Sequence, residues 1–118
     1  MQVKAKGWRR VVAAVGYSWC GLASGWKSEA AIRQEVVLLL VGAPLAFWLD
    51  VTALEKVALV LSLVMVLVVE LLNSAVEAVV DRIGYERHEL SGKAKDLGSA
   101  AVFISVLGAL FTWAVILW

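Results

Sequence analysis

Glu70, Asn73, Ser74, Glu77 and Asp81 occur in the run ELLNSAVEAVVD (70–81), directly after the apolar stretch VALVLSLVMVLVV (57–69). Each residue of an α-helix advances by about 100°, so offsets of 3, 4, 7 and 11 from Glu70 stay on one face. The positions between them are Leu71, Leu72, Ala75, Val76, Ala78, Val79 and Val80, which makes a helix polar on one side and apolar on the other. An acid facing lipid near mid-membrane costs roughly 2.5–3.5 kcal/mol, so such a stripe has to face something other than lipid. Asparagine or serine would suffice to join membrane helices. Two glutamates and an aspartate call for a cation.

The rest of the composition narrows that cation. His88 is the only histidine and Cys20 the only cysteine, which excludes a His-pair zinc motif, a cysteine-rich site and an intrachain disulfide. A metal held mainly by carboxylates is a hard ion such as Mg²⁺. Glu29 is a further acid at the same level, and the segment GYERHELSGKAKDLGSAA (84–101) offers Lys95 and Asp96. Carboxylates for a metal and a lysine for phosphate are the parts of a phosphoryl-transfer site, where positioning and charge neutralisation do most of the catalysis. A spare carboxylate takes the proton of the attacking hydroxyl. There is no P-loop: in GLASGWKS (21–28) Trp26 separates the second glycine from Lys27, and the spacing is one residue short.

These residues need elements to hold them. The chain has 118 residues, of which 62% are hydrophobic and 18% charged, whereas a soluble domain carries about 25% charged residues. So small a chain cannot bury that much apolar surface in water, and one membrane-embedded domain is expected. The stretches VVLLLVGAPLAFWL (36–49), 57–69 and LGSAAVFISVLGALFTWAVILW (97–118) predict three spans, at about 30–49, 53–80 and 97–118. Pro44 is expected to kink the first. Trp8, Val11, Val12, Val15, Trp19 and Leu22 recur at helical steps with Arg9 and Arg10 among them, which predicts an interface helix over 7–26. The N-terminal VVAAV is too short for a secretory signal, so it is expected to be mature protein. Lys4, Lys6, Arg9, Arg10, Lys27 and Arg33 precede span one, and Arg82, Arg87, Lys93 and Lys95 lie between spans two and three. The positive-inside tendency therefore places the N-terminus and the 82–96 loop in the cytoplasm. With a net charge of +1, no general attraction to nucleic acid is expected.

The run 70–81 resembles the signature of the prokaryotic diacylglycerol kinases, small three-span membrane enzymes. GYSWCGL (16–22), EAAIRQE (29–35), FWLDV (47–51), DRIG (81–84) and HELSGKAKDLGSAAV (88–102) extend the likeness over nearly the whole chain. The resemblance implies an all-α homotrimeric bundle in the bacterial inner membrane, with sites shared between subunits. It implies transfer of the γ-phosphoryl of Mg·ATP to the primary hydroxyl of diacylglycerol, giving phosphatidic acid. On matching positions, Glu70 is the expected catalytic base, Glu29 and Glu77 the Mg²⁺ carboxylates, and Asn73 a steadying hydrogen-bonder. Lys95 and Asp96 are the expected phosphate-positioning pair, with Asp81 orienting their loop. Arg10, Tyr17, Glu86 and His88 are expected near the nucleotide. Arg10, Ala31, Arg33, Gln34, Glu35, Trp48, Ser99 and Trp113 are expected on the lipid side. Arg33 and Glu35 equally fit interfacial anchors, and Trp48, Trp113 and Trp118 an aromatic belt.

Three rival readings use the same residues. A sister branch of the family phosphorylates undecaprenol, with the same acidic motif. A proton-coupled transporter would place its acid near mid-bilayer, whereas here the acids gather at one end beside Lys95 and Asp96. A structural subunit would use the stripe only to hold helices together.

Overall fold

A computed structural model describes residues 6–84 and 88–118. Four helices account for nearly all of them: α1 (Trp8–Ser28), α2 (Ala30–Trp48), α3 (Ala53–Ile83) and α4 (Glu89–Leu117). No strand occurs among the described residues. The last three helices are long and apolar enough to cross a membrane. The protein is an all-α membrane bundle with one additional helix at its N-terminal end.

Gly7, at φ 63°, opens α1, a left-handed backbone that glycine adopts without penalty. Only Glu29 separates α1 from α2, in an extended conformation (φ −122°, ψ 113°). Its N–H still donates to the Gly25 carbonyl at 2.8 Å, so α1 is hydrogen-bonded up to the break. The last carbonyls of a helix lack intrahelical donors and form the negative end of its dipole. Arg33 fills that role from across the break, donating to the carbonyls of Trp26 at 2.7 Å and Lys27 at 3.3 Å.

At the far end of α2 the chain reverses over residues 49–52. Thr52 and Glu55 form a reciprocal capping box: the Thr52 hydroxyl accepts from the Glu55 N–H at 3.1 Å, and the Glu55 carboxylate from the Thr52 N–H at 3.0 Å. Lys56 donates to the Phe47 carbonyl at 2.9 Å, covering an orphan acceptor of α2. Pro44 lies inside α2, which runs on through it.

Helix α3 lies between α2 and α4 and packs on both, while α1 touches α2 more lightly and buries no residue. The buried apolar set is small: Ile32, Ala46, Leu59, Leu63, Val66, Val80 and Ala109. Gly42 brings α2 against α3 closely enough that a methyl group there would meet Leu63. Large apolar side chains such as Leu40, Phe103 and Phe111 remain on the outside, as they do when the solvent is lipid.

The third span differs from its expected extent. Helix α4 begins at Glu89, not at residue 97, so ELSGKAKD (89–96) is helix where a loop was expected. Polar composition suggested a loop, but a helix leaving the bilayer no longer needs apolar side chains. His88 starts it, its Nδ1 accepting from the Leu90 N–H at 3.1 Å. Helix α3 likewise reaches Ile83, beyond the expected residue 80. Its 31 residues measure about 46 Å at the α-helical rise, against a hydrocarbon core of about 30 Å. A turn or more of α3 therefore projects from the bilayer.

Candidate active site

Helical spacing places Glu70, Asn73 and Glu77 together, and the structure joins them. The Asn73 amide donates to Glu77 Oε1 at 3.2 Å and, at a longer 3.4 Å, to Glu70 Oε2. One neutral donor thus lies between two carboxylates that would otherwise repel. Glu70 is 8% exposed, the only buried charged residue among those described. It continues the buried face of α3, where Val66 and Leu63, one and two turns back, are core.

Other acids lie near Glu70, one on its own helix and two from α2 or the joint before it. Glu29, at the joint between α1 and α2, and Glu77 both lie close enough to act on Glu70 through space. Glu35 of α2 is likewise within electrostatic reach of Glu70. One Glu35 oxygen, Oε2, is buried without a hydrogen-bond partner, as is the Asn73 Oδ1. Buried polar atoms are rarely without a hydrogen-bond partner, and both of these belong to the residues around Glu70. Glu29 also lines a cleft of small residues between α1 and α3 that includes Gly25, Ser28, Ser74 and Ala78.

Lys95 projects from α4 to Asp81 at the end of α3, Nζ to Oδ1 2.8 Å, with both side chains nearly half exposed. Glu77 adds a second negative charge within its reach. Asp96, expected beside Lys95, lies one helical step away on a separate shallow surface with His88, Glu89, Gly92 and Lys93. The cation's direct partner is Asp81.

On the lipid side, Gln34 and Glu35 stand at one end of an apolar groove of about 460 Å³ between α2, α3 and α4. Leu38, Val41, Leu45, Leu63 and Val66 are among its walls, and Trp113 is in its lining. The Trp113 indole N–H donates to the Ser62 hydroxyl at 3.1 Å, which fixes the ring across the α3–α4 contact. Arg33 is occupied elsewhere, its guanidinium turned back to the end of α1. Ala31 is half-buried, Ser99 exposed, and Trp48 lies exposed at the opposite end of α2. Arg10 lines a shallow cleft along α1 with Ala14 and Ser18, and Tyr17 is exposed on the same helix. The structure thus leaves Arg10 and Tyr17 outside the acidic cluster of one chain. Glu86 lies outside the described residues.

The donor set suits Mg²⁺, a hard cation that takes carboxylate oxygen and is bound through one or two protein carboxylates, with phosphates and water completing its octahedron. Among the described residues no three acidic, histidine or cysteine side chains of one chain form a complete metal cage, and Mg²⁺ does not need one. Two contributors were not distinguishable by spacing: Ser62, which anchors Trp113, and Gly98, whose backbone lies against Asn73. Neither carries a signal that separates it from the other serines and the nine glycines of the chain.

Residues 16–117 match the family model for prokaryotic diacylglycerol kinase. The chain is 55% identical to the diacylglycerol kinase of Escherichia coli (strain K12), over 95% of this chain and 92% of that one. It is 48% identical to the diacylglycerol kinase of Pseudomonas aeruginosa, over 94% and 90% of the two chains. With the diacylglycerol kinase of Helicobacter pylori (strain J99) the identity is 42%, over 93% and 86%.

Proposed function

The chain belongs to the prokaryotic diacylglycerol kinase family, and from that premise we propose that it transfers the γ-phosphoryl group of ATP to the primary hydroxyl of diacylglycerol, giving phosphatidic acid and ADP. The observation that carries this reading is a buried glutamate, Glu70, tied through Asn73 to a second, outer glutamate on the same helix face. That the relatives are diacylglycerol kinases favours diacylglycerol over undecaprenol as the acceptor.

In this reading Glu70 is the general base. The lipid oxygen bonds to the γ-phosphorus, the bond from that phosphorus to the bridging oxygen breaks, and ADP leaves. The hydroxyl proton passes to the Glu70 carboxylate, late in a loose transition state. Asn73 holds the Glu70 and Glu77 carboxylates at a fixed separation. Glu29 and Glu77 would hold Mg²⁺, which when bound supplies neutralising charge to the phosphates. Lys95, tethered by Asp81, provides a further positive charge for phosphate, with Asp96 beside it in sequence and His88 at the cap of α4 on the nucleotide side. Arg10, Tyr17 and Glu86 complete the nucleotide side.

The apolar groove takes the acyl chain, with Gln34 and Glu35 at its polar end and Trp113 along its wall. Ala31, Ser99 and Trp48 belong to the same lipid side. Arg33 contributes by holding α1 to α2. The protein is a multi-pass membrane protein of a bacterial family. We place its N-terminus and residues 82–96 in the cytoplasm, its location in the inner membrane, and its working form as a homotrimer with sites shared between subunits.

The test supplies purified protein in lipid micelles with labelled Mg·ATP and equal diacylglycerol and undecaprenol. Label in phosphatidic acid is expected. Label in the polyprenyl phosphate would reassign the acceptor, and no label in either lipid would remove the kinase reading.

A further inference from the structure

We infer that Gly98 is a positioning residue for the reaction: its bare Cα lets α4 close over the Asn73 amide and confine it between Glu70 and Glu77. The inference rests on the reading of Glu70 and Glu77 given above. A Cβ placed at residue 98 would overlap the Asn73 Oδ1 and come 3.2 Å from its Cγ. The other two glycines of α4, Gly92 and Gly108, have nothing within 4 Å of such a Cβ. Glycine is a poor residue for a helix interior, so residue 98 has a local reason to lack a side chain.

The Asn73 amide is held on both sides. Its nitrogen donates to the two carboxylates, and turning the amide over would set its oxygen against them. Its oxygen is buried with no N–H or O–H donor. The neighbour it does have is the Gly98 backbone, where a Cα–H···O contact is the available weak bond. Asparagine has two side-chain torsions, so an oxygen displaced from Gly98 carries the nitrogen away from Glu70 and Glu77. Lys95 stands three residues before Gly98 on the same face of α4 and binds Asp81. One face of α4 therefore addresses the α3 stripe at two heights, by charge at Asp81 and by backbone at Asn73.

The experiment compares wild type, Gly98→Ala, Asn73→Ser and the double variant in lipid micelles, reading kcat, both KM values and assembly by size exclusion. Serine withdraws the oxygen that the new methyl would strike. Gly98→Ala alone is expected to lower kcat by about tenfold, within the range of coupled neighbours, with the diacylglycerol KM little changed. In the Asn73→Ser background the same change is expected to lower kcat no further. An equal loss in both backgrounds, or none in either, would overturn the inference by showing that Gly98 does not act through Asn73. If Gly98→Ala fails to assemble, recovery of assembly in the double variant supports the inference and persistent failure overturns it. Glu70→Gln is assayed alongside: full turnover there would sink the site reading itself, whereas additive losses in a Glu70-dependent enzyme would sink only the role of Gly98.

Discussion

Glu70 and Asp81 lie eleven residues apart on one helix face, and their surroundings give them different work. Glu70 is enclosed, whereas Asp81 is nearly half exposed and paired with Lys95. Replacing Glu70 with glutamine keeps size and hydrogen bonding but removes the base, so kcat should fall by about 10²–10⁴, the usual contribution of a general base. Mg·ATP binding, measured by equilibrium dialysis, should persist; loss of both together would make Glu70 a metal ligand or a structural group. An ion pair this exposed to solvent adds little to stability, so Asp81→Asn should leave the unfolding midpoint nearly unchanged. It should raise the KM for Mg·ATP by roughly fivefold with kcat nearly constant, because Lys95 loses its tether; an unchanged KM would show that the tether is dispensable. The stripe was legible at this scale because helical spacing alone aligns residues 70, 73, 77 and 81. The ion pair between Lys95 and Asp81 was not read from spacing, since it depends on where a second helix lies.

At the scale of elements, the three spans were legible because lipid as solvent demands long apolar runs. The polar extension of α4 was not, because outside the bilayer that demand lapses and only the His88 cap marks where the helix starts. Nor could composition show that Arg33 reaches back seven residues to the end of α1. Charge placed Arg33 at an interface, but only the extended Glu29 turns it toward those carbonyls. The capping box of α3 allows a separate test of element stability. Thr52→Ala should destabilise the bundle by about 0.5–2 kcal/mol, read as a lower thermal midpoint in mixed micelles. Turnover per folded molecule should not change, since Thr52 lies about 27 Å along the helix from Glu70. A lower kcat without a lower midpoint would contradict this separation of cap from site.

For the whole molecule, one copy gathers Glu29, Glu35, Glu70, Asn73 and Glu77 yet leaves Arg10 and Tyr17 apart on α1, and it buries few of its apolar side chains. Both facts suit a site finished by a neighbouring copy. Subunits carrying Glu70→Gln mixed with subunits carrying Arg10→Ala should then regain activity above that of either parent, measured as phosphatidic acid formed after the two are unfolded and refolded together. A mixture no more active than its parents would place Arg10 and Glu70 of each site in a single chain. Sharing between copies is what the family resemblance implies, because the spacing of residues in one chain says nothing about which copy faces which. The joint at Glu29 has a mechanical consequence. One residue carries the whole change of direction between α1 and the membrane-spanning α2. With Arg33 locking the end of α1 and no slack in the chain, a tilt of α1 has to be taken up by the two torsions of residue 29. The carboxylate of that residue turns with them. The direction of α1 and the orientation of a carboxylate proposed to hold the metal are thus set by the same pair of torsions.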